Sequence, residues 1–145
     1  MHTKVSWRGE MSFTGIADTG FEVPLGAAAK VGGDDDGFRP MELIAVGLAG
    51  CTAMDVISIL RTMRQKPTGL KAHVTSQRAT EHPKKFLSIH IEYTIIGYDL
   101  VEERVARAIE LSETKYCPAM ASLRPGAPIT SSYKILEASQ ETMTK

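Results

Sequence analysis

The spacing of apolar residues changes several times along the chain, and each change marks an element. Lys4–Arg8, Ser12–Ala17 and Phe21–Pro24 read as short strands, with Gly9, Gly15 and Gly20 as the breaks. Met41 to Leu60 is apolar on most sides, and Pro40 stands where a first helical residue needs no N–H. This predicts a long helix reaching about Arg64–Gln65 and stopping before Pro67, whose predecessor avoids the helical region. A helix apolar around most of its circumference has to be surrounded by other structure.

Strict alternation then takes over. Leu70, Ala72 and Val74 lie on one side of a strand running to Arg78. In Phe86–Gly97, Leu87, Ile89, Ile91, Tyr93 and Ile95 are expected inside, with Ser88, His90, Glu92 and Thr94 outside. Asp99 followed by Glu102 resembles a capping box. Val101, Val105, Ala108, Ile109 and Ser112 continue from it as one helical stripe, with Glu103, Arg107 and Glu110 opposite. The pattern breaks at Tyr116–Cys117–Pro118, turns at Arg124–Gly126 and closes with a strand through Ile129, Ser131, Tyr133 and Ile135. The order predicts a single α+β domain over residues 1–145 with mainly antiparallel pairing. Strands and a loop occupy 1–36, and a frayed polar tail occupies 138–145.

Composition removes several function classes. The 17 basic and 17 acidic residues cancel, and no stretch masses Lys or Arg, which speaks against nucleic acid or an anionic membrane as partner. Glu42, Asp55, Gly47 and Gly50 interrupt the long apolar stretch, so a core helix is expected there and not a membrane span. Met1–Arg8 lacks the apolar run of a signal peptide, and a cytoplasmic, reducing compartment is expected. The 2 cysteines and 4 histidines show no zinc spacing, and Asp34–Asp36 in GGDDDG lacks a calcium-loop pattern; no metal site is expected. The alternation puts His90 on a solvated strand face.

Cysteine chemistry is what remains. Cys51 lies about three turns into the long helix, where the dipole lowers a thiol pKa little, and a small core residue is the plain alternative. Gly47 and Gly50 beside it each cost roughly 1 kcal/mol of helix propensity against alanine, which points to another backbone approaching closely there. Cys117 precedes Pro118 and fits an N-cap of a short helix through Leu123, where free amides favour a thiolate. On local grounds Cys117 is the more easily ionised thiol.

These residues have a familiar context. Gly37-Phe-Arg-Pro-Met-Glu-Leu, Leu48-Ala-Gly-Cys-Thr-Ala-Met-Asp and Glu113-Thr-Lys-Tyr-Cys-Pro resemble the OsmC/Ohr family of osmotically inducible and organic-hydroperoxide-resistance proteins. The resemblance extends from Ser6-Trp7-Arg8-Gly9 to the last strand. It implies an intertwined homodimer in which antiparallel sheets from both chains wrap long central buried helices, with active sites at the dimer interface. It also implies that Cys51 is the peroxidatic thiol and Cys117 the resolving one, with the second helix packed beside the Gly47–Gly50 surface. Family members support the thiolate with a hairpin arginine and a glutamate directly after the proline. Here Met41 follows Pro40, Glu42 comes one residue and about 100° later, and the hairpin position reads Ser12-Phe13-Thr14. Arg8 and Arg39 are the nearest basic residues for that role.

The activity implied is thiol-dependent reduction of organic hydroperoxides, with an external dithiol of the lipoyl type as reductant and no cofactor. The alternative is a non-catalytic, stress-associated dimer or a binder of small apolar ligands.

Overall fold

Three short strands, β1 (Thr3–Gly9), β2 (Ser12–Ala17) and β3 (Glu22–Leu25), form an antiparallel meander in the order β1-β2-β3. Trp7 opposes Phe13, and the register shifts between Trp7 and Gly9 at the turn. The chain then runs through a short turn at Ala29–Val31 and returns to the sheet, where Phe38 donates to the Pro24 carbonyl at 3.0 Å. Gly37 makes that return possible, because a Cβ there would stand 2.8 Å from the Leu25 backbone. The acidic loop is tied down: Asp35 pairs with Arg39, and Asp36 accepts from the Ser12 hydroxyl.

A computed structural model describes residues 1–139, so the tail expected beyond Ser139 lies outside the described residues. The chain divides into two compact units, Met1–Ala45 and Val46–Lys145, and the division falls inside the long helix α1 (Pro40–Thr62). Arg39 is the residue before Pro40, and its N–H donates to the Glu42 carboxylate at 2.9 Å, the reciprocal half of a capping box. The helix ends two residues earlier than expected. Arg64 takes a left-handed φ of 58°, and Gln65 N–H donates to the Leu60 carbonyl at 2.9 Å.

The second unit holds a sheet in the order β4-β5-β6, from β4 (Lys66–Arg78), β5 (Phe86–Tyr98) and β6 (Ile129–Glu137). β4 begins before Pro67, which an edge strand tolerates because its N–H would face away from the ladder. β4–β5 is antiparallel, whereas β5–β6 is parallel. The crossover between β5 and β6 carries α2 (Glu102–Leu111), a wide turn at Ser112–Tyr116 and α3 (Pro118–Leu123). α2 starts after Val101, not at Asp99, which takes a φ of 48° in the preceding turn and caps nothing. Glu102 therefore opens the helix and does not close a capping box.

The core of this unit gathers Leu48, Val56 and Leu60 of α1, Ile89, Ile91, Tyr93 and Ile95 of β5, Val105, Ala108 and Ile109 of α2, and Met120 of α3. Leu87, expected inside, is 48% exposed. A register shift between Gln77 and Arg78 pairs Arg78 with Phe86, which takes the inward place at that end. The larger departure concerns α1. Only Leu48, Thr52, Val56 and Leu60 are buried, a single i,i+4 stripe, while Val46 and Met54 are 54% and 75% exposed. By length and composition α1 could cross a membrane, with 22% of its apolar window buried. Among the described residues, nothing lies within 4 Å of a Cβ added at Gly47 or Gly50, so no backbone of these residues packs closely there.

Polar side chains also cross this core. Thr52 Oγ1 shares hydrogen bonds with Tyr93 Oη at 2.7 Å and Ser112 Oγ at 2.8 Å, linking α1, β5 and the end of α2. We expect Thr52→Val, of similar shape, to cost roughly 1–3 kcal/mol, because two buried hydroxyls lose a partner. Urea unfolding at fixed protein concentration should show a lower midpoint with an unchanged slope. A midpoint equal to the parent's would mean that the hydroxyl links contribute nothing net.

Candidate functional site

Thr52 belongs to the buried stripe of α1, which places its neighbour Cys51 at the edge of that stripe, half-buried. Cys117 reaches the same place from the opposite direction. The backbone after α2 widens into a turn in which Cys117 N–H donates to the Ser112 carbonyl five residues back at 2.9 Å. Cys117 then caps α3, its sulfur accepting from Met120 N–H at 3.4 Å, as its position before Pro118 predicts. Both thiols are free. With Asp55 they form a cluster whose Sγ and carboxylate oxygen atoms all lie within 4.8 Å of one another. Cys117 thus meets Cys51 through the wide turn and not through a helix packed on Gly47 and Gly50, whose surface is open among the described residues.

The N-cap expectation for Cys117 is reversed by burial. The residue is 4% exposed, and loss of solvent pushes its thiol up from 9.0 to about 11. The Met120 amide offsets part of this, while the neighbouring Cys51 and the Asp55 carboxylate add to it. A single amide at a helix of one and a half turns is outweighed by desolvation. Tyr93 is likewise held in its protonated form, chiefly by burial, with the Thr52 hydrogen bond opposing and Glu113 reinforcing. Ser112 Oγ donates to Asp55 Oδ2 at 3.1 Å, so the carboxylate beside the thiols is anchored to the buried hydroxyl chain.

The proposed supporting residues are engaged close to home. Arg39 bonds to Asp35 and to the Gly37 carbonyl at 2.8 Å, Glu42 caps the Arg39 amide, and Arg8 Nε donates to Thr14 Oγ1 at 3.0 Å. His90 lies on the polar strand face as expected, between Thr130 and Ser132. The residues that sequence reasoning passed over are Asp55, Thr52, Tyr93 and Ser112. The signal for Asp55 was its i,i+4 spacing from Cys51, and for the others a hydroxyl at an inward-facing position.

Beside Asp55 opens a cavity of about 380 Å³, lined by Ser58, Ile59, Thr62, Met63, Leu111 and Tyr116.

A family model described as "OsmC-like protein" matches residues 33–132. Protein YhfA of Escherichia coli strain K12 is 33% identical over 138 residues, covering 95% of this chain and 100% of the relative. An OsmC-like protein from Mycoplasma pneumoniae superimposes with a TM-score of 0.81 at 21% identity, covering 93% of this chain and 96% of that one. An organic hydroperoxide resistance protein OsmC from Legionella pneumophila does so with a TM-score of 0.68 at 13% identity, covering 92% and 95%.

Two predictions come from the electrostatics. The folded pKa of Cys117 exceeds its ordinary value, so the folded state keeps a proton that the unfolded state loses. Its contribution to stability is therefore full below pH ~9 and is lost as pH rises to about 11. In urea titrations over that range the parent should lose more stability than Cys117→Ser; parallel curves would refute the assignment. Second, iodoacetamide near pH 8 should modify half-buried Cys51 at least about tenfold faster than buried Cys117. Peptide mass spectrometry reads the order directly, and a faster Cys117 would contradict it.

Proposed function

The chain belongs to the OsmC-like protein family, and from that premise we propose that it is a thiol-dependent peroxidase acting on organic hydroperoxides. The observation that carries this reading is the pair of free thiols with sulfurs within 4.8 Å, one half-buried and one buried. Cys51 is the attacking thiol because it is the one a substrate can reach. Its thiolate forms a bond to the distal peroxide oxygen, the O–O bond breaks, and the alcohol leaves as it takes up a proton. Cys51 is then a sulfenic acid. The Cys117 sulfur attacks it, the S–S bond forms, and water departs with the hydroxyl of the sulfenic acid and the Cys117 proton. An external dithiol of the lipoyl type returns both cysteines to thiols and is itself oxidised to a disulfide.

Burial suits Cys117 to the second role. A protonated, shielded thiol does not compete for peroxide, yet it adjoins the sulfur on which the sulfenic acid forms. The neighbouring cavity presents Ile59, Met63 and Leu111 to a substrate, which favours alkyl over purely polar peroxides. In this reading Arg39 and Glu42 serve by starting the helix that carries Cys51, and Arg8 by bracing its hairpin. A second copy of the chain covers the exposed apolar face of α1, where Val46 and Met54 flank the open surface at Gly47 and Gly50. Close backbone approach by that copy accounts for glycines that nothing among the described residues explains.

The test is a free-thiol count before and after one equivalent of cumene hydroperoxide, with Cys51→Ser and Cys117→Ser in parallel. The parent should lose both thiols rapidly, and a sulfenic acid should be trapped in Cys117→Ser alone. Thiols that persist for hours would sink the peroxidase reading. The cavity would then favour a binder of small apolar ligands.

A further inference from the structure

We propose that Cys51, Asp55 and Cys117 form a site for a soft divalent cation, zinc or cadmium, in the reduced chain. The expectation of no metal site weighed cysteine and histidine spacings and the Asp34–Asp36 loop but not Asp55, which supplies the ligand the cysteines lacked. Its carboxylate stands one helical turn beyond Cys51 on α1, and Cys117 faces both from the cap of α3. All three donor atoms lie within 4.8 Å of one another. Tetrahedral zinc, with bonds of about 2.3 Å to sulfur and about 2.0–2.2 Å to oxygen, needs its donors roughly 3.5–4 Å apart. Small side-chain rotations span that difference.

The donor types choose the metal. Two thiolates disfavour magnesium and calcium and favour zinc or cadmium. Outer contacts already hold the donors in place, since Ser112 donates to Asp55 Oδ2 at 3.1 Å and Met120 N–H to Cys117 Sγ at 3.4 Å. Asp55 also lines the cavity of about 380 Å³, which has room for a water to complete the coordination. Binding is an exchange without redox change: the cation enters, two thiol protons leave, and the carboxylate coordinates as it stands. A metal-bound pair of thiolates has no free nucleophile, and a disulfide has no thiolate to offer. Metal and oxidant therefore exclude each other here, which adds a layer of control that the peroxidase reading does not contain and on which the site does not depend.

Titrating the reduced full-length chain with cadmium, and following the ultraviolet thiolate-to-cadmium charge-transfer absorption, tests the site. One cadmium per chain is expected. Affinity should fall ~100-fold or more in Cys51→Ser and in Cys117→Ser, and ~10-fold in Asp55→Asn. The unmutated chain provides an independent readout: zinc should protect both thiols from N-ethylmaleimide, and a chelator should restore their reactivity. Equal alkylation with and without zinc, metal retained by either cysteine variant, or Asp55→Asn binding like the parent would each overturn the three-donor site. Peroxide plays no part in these measurements. A chain that binds cadmium yet ignores hydroperoxide, or the reverse, separates the two readings.

Discussion

Thr52 has its hydroxyl buried between Tyr93 of β5 and Ser112 at the end of α2. In a dry setting a hydroxyl without a partner costs on the order of 1–3 kcal/mol, so these contacts restrict how α1, β5 and α2 can be arranged. Any slip of α1 along its axis or about it would separate Thr52 from one partner or the other. The chain of contacts continues outward to carboxylates, from Ser112 to Asp55 at 3.1 Å and from Tyr93 to Glu113 at 3.4 Å. Among the described residues, no buried side-chain nitrogen or oxygen is left without a hydrogen-bond partner.

Cys51 precedes Thr52 in the helix, and Cys117 follows Ser112 across one wide turn. The two sulfurs are therefore brought together by a scaffold that ends one residue from the first and five from the second. The turn matters as much as the hydroxyls. An ordinary helical continuation would have advanced the chain by one more set of i→i+4 bonds, whereas the bond from Cys117 N–H to the Ser112 carbonyl widens the backbone and releases it at Pro118. Arg124 steadies that widened segment by donating to the Glu113 carbonyl at 3.0 Å.

Features with a local cause were legible in the sequence. The alternation of Ile89, Ile91, Tyr93 and Ile95 identified the central strand and its inner face, Pro40 marked the start of α1, and Pro118 placed Cys117 at an N-cap. Features whose cause lies in distant residues were not. The helix dipole at Cys117 is readable from three residues, but the burial that overrides it comes from elements on both sides. The capping box expected at Asp99 failed because the turn out of β5 forces a left-handed residue there. β6 reads as a strand from its pattern, yet its parallel pairing depends on the crossover that precedes it. Asp55 was visible, but its charge in an apolar stretch speaks locally only against a membrane span. Its place beside two thiols emerges only once the wide turn is known.

The cluster sets opposing demands on one carboxylate. As a neighbouring negative charge, Asp55 helps to keep Cys117 protonated, which in the proposed peroxidase would hold the second thiol in reserve while the first meets peroxide. Toward a cation the same charge acts with the thiolates, compensating the metal and replacing the repulsion among three anions by shared coordination. Which of the two proposed behaviours prevails would depend on whether oxidant or cation reaches the cluster. In the proposed reactions oxidation would join the sulfurs and leave Asp55 with its Ser112 hydrogen bond, whereas a cation would draw all three donors inward and forbid the disulfide. A thiol pair without the carboxylate would retain the first option and largely lose the second, so in the two proposals Asp55 is the residue that separates redox chemistry from metal capture.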